Sequence, residues 1–143
     1  MLIKMLPEQV EEHWETIAPM IAKGIHPSAA ARRGAMGNVL RAILVERLIC
    51  WVYVSDNSFI ACITTIERSD EVTLDKSLFI YSFATLGNMN KVMFKDAWES
   101  LQTYASSLGC FKVTGLVEDD RLVSLYKREF NAKAEYTFVE VIL

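Results

Sequence analysis

The chain contains 143 residues, of which 52% are hydrophobic and 23% are charged, and its formal net charge is −3. This length and composition predict one globular domain over residues 1–143 and exclude an intrinsically disordered protein. The negative charge and the dispersed Lys and Arg residues argue against a nucleic-acid-binding surface. No signal peptide and no membrane-spanning run is apparent, so a cytosolic protein without a membrane partner is expected.

The cysteines and histidines argue against a disulfide framework and against a metal site. Cys50, Cys62 and Cys110 lie in apolar, strand-like surroundings without CxxC spacing, a pattern typical of buried thiols in a reducing compartment. The only histidines are His13 and His26. They lack the partners that a metal centre needs, so no metal is expected.

The first half of the chain predicts a short strand, two helices and a β-hairpin. Pro7 suits the first turn of a helix, and apolar residues then recur at helical spacing as far as Gly24. Pro19 is expected to kink or end this first helix. After the second helix, two runs rich in β-branched and aromatic residues, 48–54 and 59–66, flank a polar turn and predict the hairpin.

The second half of the chain alternates between strands and helices. Residues 78–85 form a nearly continuous apolar run, which predicts a central strand covered on both faces. Gly109 fits the residue after a helix, and Asn131 fits a left-handed stop for a later helix. The remaining predicted elements are a helix before Gly109, a strand at 110–117, a helix opened by Asp119 or Asp120, and a last strand at 136–143.

Several short motifs carry a resemblance to a known family. The helix before Gly109 ends in Tyr104-Ala105-Ser106-Ser107-Leu108-Gly109-Cys110. This turn and the order of the elements resemble the acetyl-CoA half of the GNAT acyltransferase superfamily. Further matches, similar to small GNAT-like proteins of tailed bacteriophages, are Met36-Gly37-Asn38-Val39-Leu40 with Ile43-Leu44 and Trp51, Thr64-Thr65-Ile66, Leu78-Phe79-Ile80-Tyr81, Trp98 with Leu101, and Tyr136-Thr137-Phe138. The resemblance implies an α/β fold with a mixed, mostly antiparallel GNAT-like central sheet flanked by helices.

The loop that would hold a cofactor departs from the pattern of this family. GNAT enzymes wrap a pyrophosphate with a glycine-containing loop at a helix start, but the corresponding residues 89–94 contain no glycine. Bulky side chains are expected to keep the backbone away from phosphate oxygens. Asn90 is therefore expected only to cap the helix, without tight binding of acetyl-CoA. If acetyl-CoA does bind, the resemblance implies Asn90, Lys91 and Val92 as cofactor-binding residues.

The acid and base of such an enzyme are also largely missing from the sequence. The strand at 78–85 carries no Asp, Glu or His, while Glu67 and Asp75 lie near turns, where solvation explains them. Tyr126 follows Leu125, like the Leu-Tyr pair of the family, and is the one weak catalytic candidate, as the acid for the leaving thiolate. If Asn131 replaces the glycine of the family, Tyr126 stands one position early, about 100° around the helix.

Together these features predict a non-catalytic GNAT-like phage protein with a degenerate site and no cofactor. It would serve as a structural or binding module, associated with a virion or located in the host cytoplasm. The expected partner is a phage structural protein or a host protein, in a homo- or hetero-oligomer. The alternative is an acetyl-CoA-dependent N-acetyltransferase with a divergent pyrophosphate loop. A small inhibitor of host functions is a third interpretation.

Overall fold

A computed structural model describes all 143 residues and contains one five-stranded sheet with six helices around it. The sheet order is β1-β2-β3-β4-β5, in which β4 and β5 are parallel and all other neighbours are antiparallel. This confirms the predicted α/β class with a mixed, mostly antiparallel sheet. The elements are β1 (Leu2–Lys4), α1 (Pro7–Glu12), α2 (Trp14–Gly24), α3 (Pro27–Ala30), α4 (Ala35–Leu44), β2 (Ile49–Ser55), β3 (Ser58–Ser69), β4 (Lys76–Thr85), α5 (Lys91–Ser107), β5 (Lys112–Gly115) and α6 (Asp120–Phe130).

The first predicted helix is divided into two in the structure. Pro7 opens α1 as expected, but α1 ends at His13, whose backbone conformation is not helical and from which α2 begins. Pro19 lies inside α2 and does not end it, and Gly24 is the last residue of α2. None of the helices has both the length and the apolar character needed to cross a bilayer.

Gly24 brings α2 unusually close to the sheet. A Cβ atom at this position would lie 2.8 Å from the backbone oxygen and 2.9 Å from the backbone nitrogen of Phe83 in β4. Real Cβ atoms do not approach backbone atoms so closely, so only glycine allows α2 to pack at this distance. The contact fixes the second half of β4, which borders the candidate site.

The core consists of two apolar clusters, one on each face of the sheet. The cluster under α1, α2 and α4 includes Ala84, while the cluster under α5 includes Leu78, so β4 is covered on both faces as predicted. Cys50 and Cys62 are buried free thiols in the first cluster, as expected, and Cys110 is half-buried.

The last predicted strand is absent, and the prediction for residues 136–143 is wrong. No residue after Phe130 belongs to a helix or strand. Asn131 does stop α6 in a left-handed conformation (φ 52°), as expected, and Asp119 caps the start of α6 with its side chain. Alternation and β-propensity describe a segment that suits a strand, but a strand also needs an edge to pair with. The nearest edge strand, β5, is four residues long, shorter than the predicted 110–117.

Candidate functional site

The parallel strands β4 and β5, at one edge of the sheet, part about halfway along β4. β5 pairs with β4 only as far as Gly115 opposite Ile80, whereas β4 continues to Thr85. Tyr81 is the extra residue of a β-bulge in β4 against β3, immediately after the last pair with β5. A bulge bends its strand and increases the local twist. The result is a notch in the sheet, one wall of which is the backbone of residues 81–85.

The N-terminus of α5 lies just beyond the end of β4. Asn90 caps this helix as predicted, because its Oδ1 accepts a hydrogen bond from the backbone N–H of Met93 at 2.9 Å. The backbone N–H groups of Lys91 and Val92 have no acceptor in the protein. The side chain of Val92 is 76% exposed, so it extends into solvent. Two N–H groups at a helix start therefore remain open although the segment has no glycine.

A small group of charges ties the start of α5 to the end of α6. The carboxylate of Glu129 accepts contacts from Arg128 Nε and from Lys91 Nζ, both at 2.9 Å. These hydrogen bonds, first from Arg128 and then from Lys91, lower the pKa of Glu129. The group carries one net positive charge beside the positive end of the α5 dipole, a combination that favours an anion.

Aromatic rings fill the space between β4 and the two helices. The ring centroid of Phe94 lies 5.3 Å from that of Tyr126, 5.8 Å from that of Phe130 and 6.1 Å from that of Phe83. Trp98 also packs against Tyr126, with the ring centroids 5.2 Å apart. The cavity left among these side chains measures only about 10 Å³ and has apolar walls. It has room for about one water molecule and none for a larger ligand in this conformation.

Tyr126 lines this cavity even though its sequence position is one residue early. Its hydroxyl makes no hydrogen bond with the protein, and burial raises its pKa to about 12. Trp98 also lines the cavity, and its buried Nε1 has no acceptor. Trp98 Nε1 is therefore a buried polar group without a protein partner at this apolar space, whereas buried polar groups are normally hydrogen-bonded.

The two carboxylates near turns do not lie at the notch. Glu67 is opposite Leu78 in the sheet register and accepts a contact from Lys76 Nζ at 2.9 Å. Asp75 lies in the turn before β4, where its backbone oxygen accepts the N–H of Asp70 at 2.9 Å. Both carboxylates are thus at the start of β4, and the N-terminus of α5 is at its far end.

A larger cleft, of about 880 Å³, opens at the start of β4. Tyr81 contributes to its wall from the bulge, and Arg32, Arg33 and Arg47 line it from the helical side. None of these arginines forms an ion pair with a carboxylate. The sequence indicated only dispersed Lys and Arg residues, because residue spacing does not show that segments distant in sequence enclose a cleft.

Comparison with known proteins finds similarity in structure but not in sequence. No family model matches the chain, and no curated protein is significantly similar to it. Among solved structures, an aminoglycoside acetyltransferase from an uncultured soil metagenomic sample superposes with a TM-score of 0.75 at 12% identity, covering 100% of this chain and 98% of the other. The ribosomal-protein-alanine N-acetyltransferase of Brucella melitensis biovar Abortus 2308 gives a TM-score of 0.71 at 14% identity, covering 100% and 99%.

A third neighbour is informative about a cofactor. The enzyme AAC(6′)-Iy, in complex with the bisubstrate analogue CoA-S-monomethyl-acetylneamine, superposes with a TM-score of 0.72 at 15% identity, covering 100% of this chain and 98% of the other. At such low identities the likeness shows the fold, and the chain has the fold of the GNAT acetyltransferases.

The prediction of a non-catalytic phage module is wrong. The three neighbours are all acetyltransferases and favour the enzymatic alternative. The expectation of no cofactor is not supported either, since one of them is solved with a CoA-containing ligand. The error came from the weight given to the missing glycines. The open N–H groups of Lys91 and Val92 show that a helix start can stay accessible without them.

Proposed function

We propose that this chain is an N-acetyltransferase that transfers an acetyl group from acetyl-CoA to an amine. The observation that carries the proposal is the parting of β4 and β5 at the Tyr81 bulge, in a fold shared with acetyltransferases. The unpaired side of β4 offers backbone hydrogen bonds to an extended, amide-containing chain, as a sheet edge does to a peptide. The N-terminus of α5 follows at the end of the same strand, where an anionic group can be held.

The diphosphate end of acetyl-CoA fits the residues at the start of α5. The N–H groups of Lys91 and Val92 are open, and Lys91 Nζ adds a positive charge nearby. Asn90 holds the helix start in place through its cap to Met93 and would position these donors without contacting the phosphates. Of the three cofactor-binding residues that the family resemblance implies, Lys91 and Val92 would contact the diphosphate, and Asn90 would position them.

The middle part of the cofactor requires a movement of one side chain. The rings of Phe94, Trp98 and Tyr126 leave about 10 Å³ beside the notch. Phe94 is the ring nearest the helix start and is half-buried. We infer that its side chain turns away from Tyr126 and Phe83 when the cofactor binds, and that this movement reduces the affinity.

The chemistry of the proposed site centres on Tyr126. Acetyl-CoA supplies a thioester, whose sulfur leaves as a thiolate when an amine attacks the carbonyl carbon. Tyr126, with its pKa raised to about 12, remains protonated at neutral pH and is the proton donor proposed for that thiolate. The amine releases a proton to solvent as the C–N bond forms and the C–S bond breaks, and solvent then reprotonates Tyr126. β4 carries no carboxylate or imidazole, so no base is assigned to this strand.

The charges of the larger cleft favour one class of acceptor. Arg32, Arg33 and Arg47 outnumber the two glutamates that line the cleft, Glu46 and Glu67. A polycationic aminoglycoside would be repelled there, whereas a peptide or protein amine with neighbouring carboxylates would be attracted. We therefore propose a protein amine as acceptor. The short matches to phage proteins support a further proposal, that the chain comes from a tailed bacteriophage and acts in the host cytoplasm.

An acetyl-transfer assay with matched variants tests this function. Acetyl-CoA is mixed with acidic peptides carrying a free amine and, in parallel, with aminoglycosides, while thiol release and product mass are followed. We expect transfer to peptides, a higher KM for acetyl-CoA in Lys91→Ala, and a lower kcat in Tyr126→Phe. Lys95→Ala is the control, because Lys95 lies one turn further along α5 and pairs only with Glu99. Absence of transfer to either class of acceptor would overturn the proposal.

A further inference from the structure

His26 lies where three segments that are distant in sequence meet. It is the residue before α3, and its Nε2 is 3.7 Å from Glu118 Oε1 in the connection between β5 and α6. Its Nδ1 is 3.7 Å from Glu140 Oε2 in the C-terminal segment, residues 133–143. The rings of His26 and Phe138 also lie close together, with their centroids 6.2 Å apart. One imidazole thus connects the start of α3 to both other segments.

The C-terminal segment has few other polar contacts that could hold it. No residue from Lys133 onward makes a backbone hydrogen bond within the chain. Within the segment, Glu140 alone forms a side-chain hydrogen bond or an ion pair, and its partners are Ser28 and His26. Every residue of the segment is exposed. Whether the segment stays beside α3 therefore depends mainly on these contacts.

The hydroxyl of Ser28 connects the imidazole to the C-terminal segment. Ser28 Oγ lies 2.7 Å from His26 Nδ1 and 3.1 Å from Glu140 Oε1. Nδ1 accepts the backbone N–H of Ser28 at 3.3 Å, so the neutral imidazole carries its proton on Nε2, which faces Glu118. In that state Nδ1 and Glu140 compete for the single hydroxyl proton of Ser28. When the imidazole is protonated, Nδ1–H donates to Ser28 Oγ and the hydroxyl donates to Glu140, so both contacts are satisfied.

Protonation also balances the charges around the imidazole. Glu118 and Glu140 form no ion pair except with His26, so a neutral imidazole leaves a carboxylate on either side of the ring without a cation. Hydrogen bonds with an ionised partner are the stronger ones. Histidine ordinarily gains its proton near about pH 6.5, whereas glutamate ordinarily stays ionised down to about pH 4.3. The imidazole is therefore the group of this cluster that changes its charge between about pH 5 and 8.

We propose that His26 is a pH-sensitive latch, which fastens the C-terminal segment to α3 when it is protonated and releases the segment when it is neutral. Because the fastened form binds the proton more tightly, it is favoured as the pH falls and is lost as the pH rises. Two exposed ion pairs of this kind correspond to about a three- to tenfold change in the ratio of fastened to released chains. Ile25 and Ala29, close to His26 in sequence, line the larger cleft, so the latch lies beside that cleft. It does not depend on the proposed enzymatic activity.

Proteolysis of the full chain by a glutamate-specific proteinase tests the latch. Cleavage after Glu140 requires a released segment. Its rate is divided by the rate for a synthetic peptide of residues 131–143 in the same buffer, which removes the pH dependence of the proteinase itself. When opening and closing are fast, this ratio follows the population of the released form. We expect the ratio to be about three- to tenfold higher at about pH 7.5 than at about pH 5.5.

The two histidines of the chain provide a matched pair of variants. His26→Gln should give the same ratio at both pH values, because glutamine gains no proton. His13→Gln is the control, because His13 is exposed, packs against Phe59 with ring centroids 5.6 Å apart and forms no ion pair. It should retain the difference of the wild type. An equal ratio at both pH values in the wild type, a retained difference in His26→Gln, or its loss in His13→Gln would overturn the proposal.

Discussion

Replacement of Phe94 with alanine should lower the stability of the fold and raise its affinity for acetyl-CoA. The ring contacts Phe83, Tyr126 and Phe130, with centroids between 5.3 and 6.1 Å apart. Aromatic pairs contribute about 0.5–1.5 kcal/mol each beyond area burial. Moving the wild-type ring out of this cluster therefore costs about 2–4 kcal/mol, which cofactor binding must supply. Since about 1.4 kcal/mol corresponds to a tenfold change, the variant should bind at least about tenfold more tightly.

Two measurements on the same variant separate these effects. Chemical denaturation should show a loss of about 2–3 kcal/mol, less than for a fully buried phenylalanine because Phe94 is half-buried. Isothermal titration calorimetry with acetyl-CoA should show the gain in affinity. Lys95→Ala is the control, because Lys95 lies one turn further along α5 and pairs only with Glu99, and it should leave both quantities nearly unchanged. Equal or weaker binding by Phe94→Ala would refute the idea that this ring closes the cofactor channel.

Two further predictions concern stability. Gly24→Ala should destabilise the fold by about 1–3 kcal/mol, because its Cβ would lie 2.8 Å from the Phe83 oxygen. Gly37→Ala, with no atom within 4 Å of the added Cβ, should instead stabilise α4 by up to about 1 kcal/mol. Equal denaturation midpoints for the two variants would contradict the close packing of α2. The pKa of Tyr126 is raised from 10.0 to about 12. The contribution of its neutral side chain to the free energy of unfolding is therefore fully present below pH 10 and is lost as the pH rises towards 12. Tyr126→Phe should show a smaller loss of stability over that alkaline range, and identical profiles would contradict the burial of the hydroxyl.

Most of the fold follows from local patterns in the sequence. The polar turn of the hairpin was expected between β2 and β3, and there Asp56 and Asn57 adopt the left-handed conformation that tight hairpins need. The apolar run of β4 predicted its coverage on both faces. The last strand could not be predicted correctly, because residues 136–143 have the right local pattern but do not pair with an edge of the sheet. Pairing between distant segments does not appear in local periodicity.

The candidate site was less predictable than the fold. Asn90 was expected to cap α5 and does so, because capping depends on neighbouring residues. The packing of Phe94 against Tyr126 depends on how α6 crosses α5, which no spacing rule supplies. Tyr126 stands one position early in the sequence, and the structure places it in the wall of the apolar cavity, which the sequence alone did not indicate.

Calorimetric titration of the wild-type chain with acetyl-CoA shows directly whether the chain binds the cofactor of the proposed reaction. We expect saturable binding of one molecule per protomer, with an affinity within the range of about 1 μM to 1 mM that is common for enzyme substrates. The same titration should weaken in Lys91→Ala, because that variant loses a positive charge at the start of α5. Absence of saturable binding at millimolar acetyl-CoA, in the wild type and in Phe94→Ala alike, would contradict the proposal that this chain is an acetyltransferase.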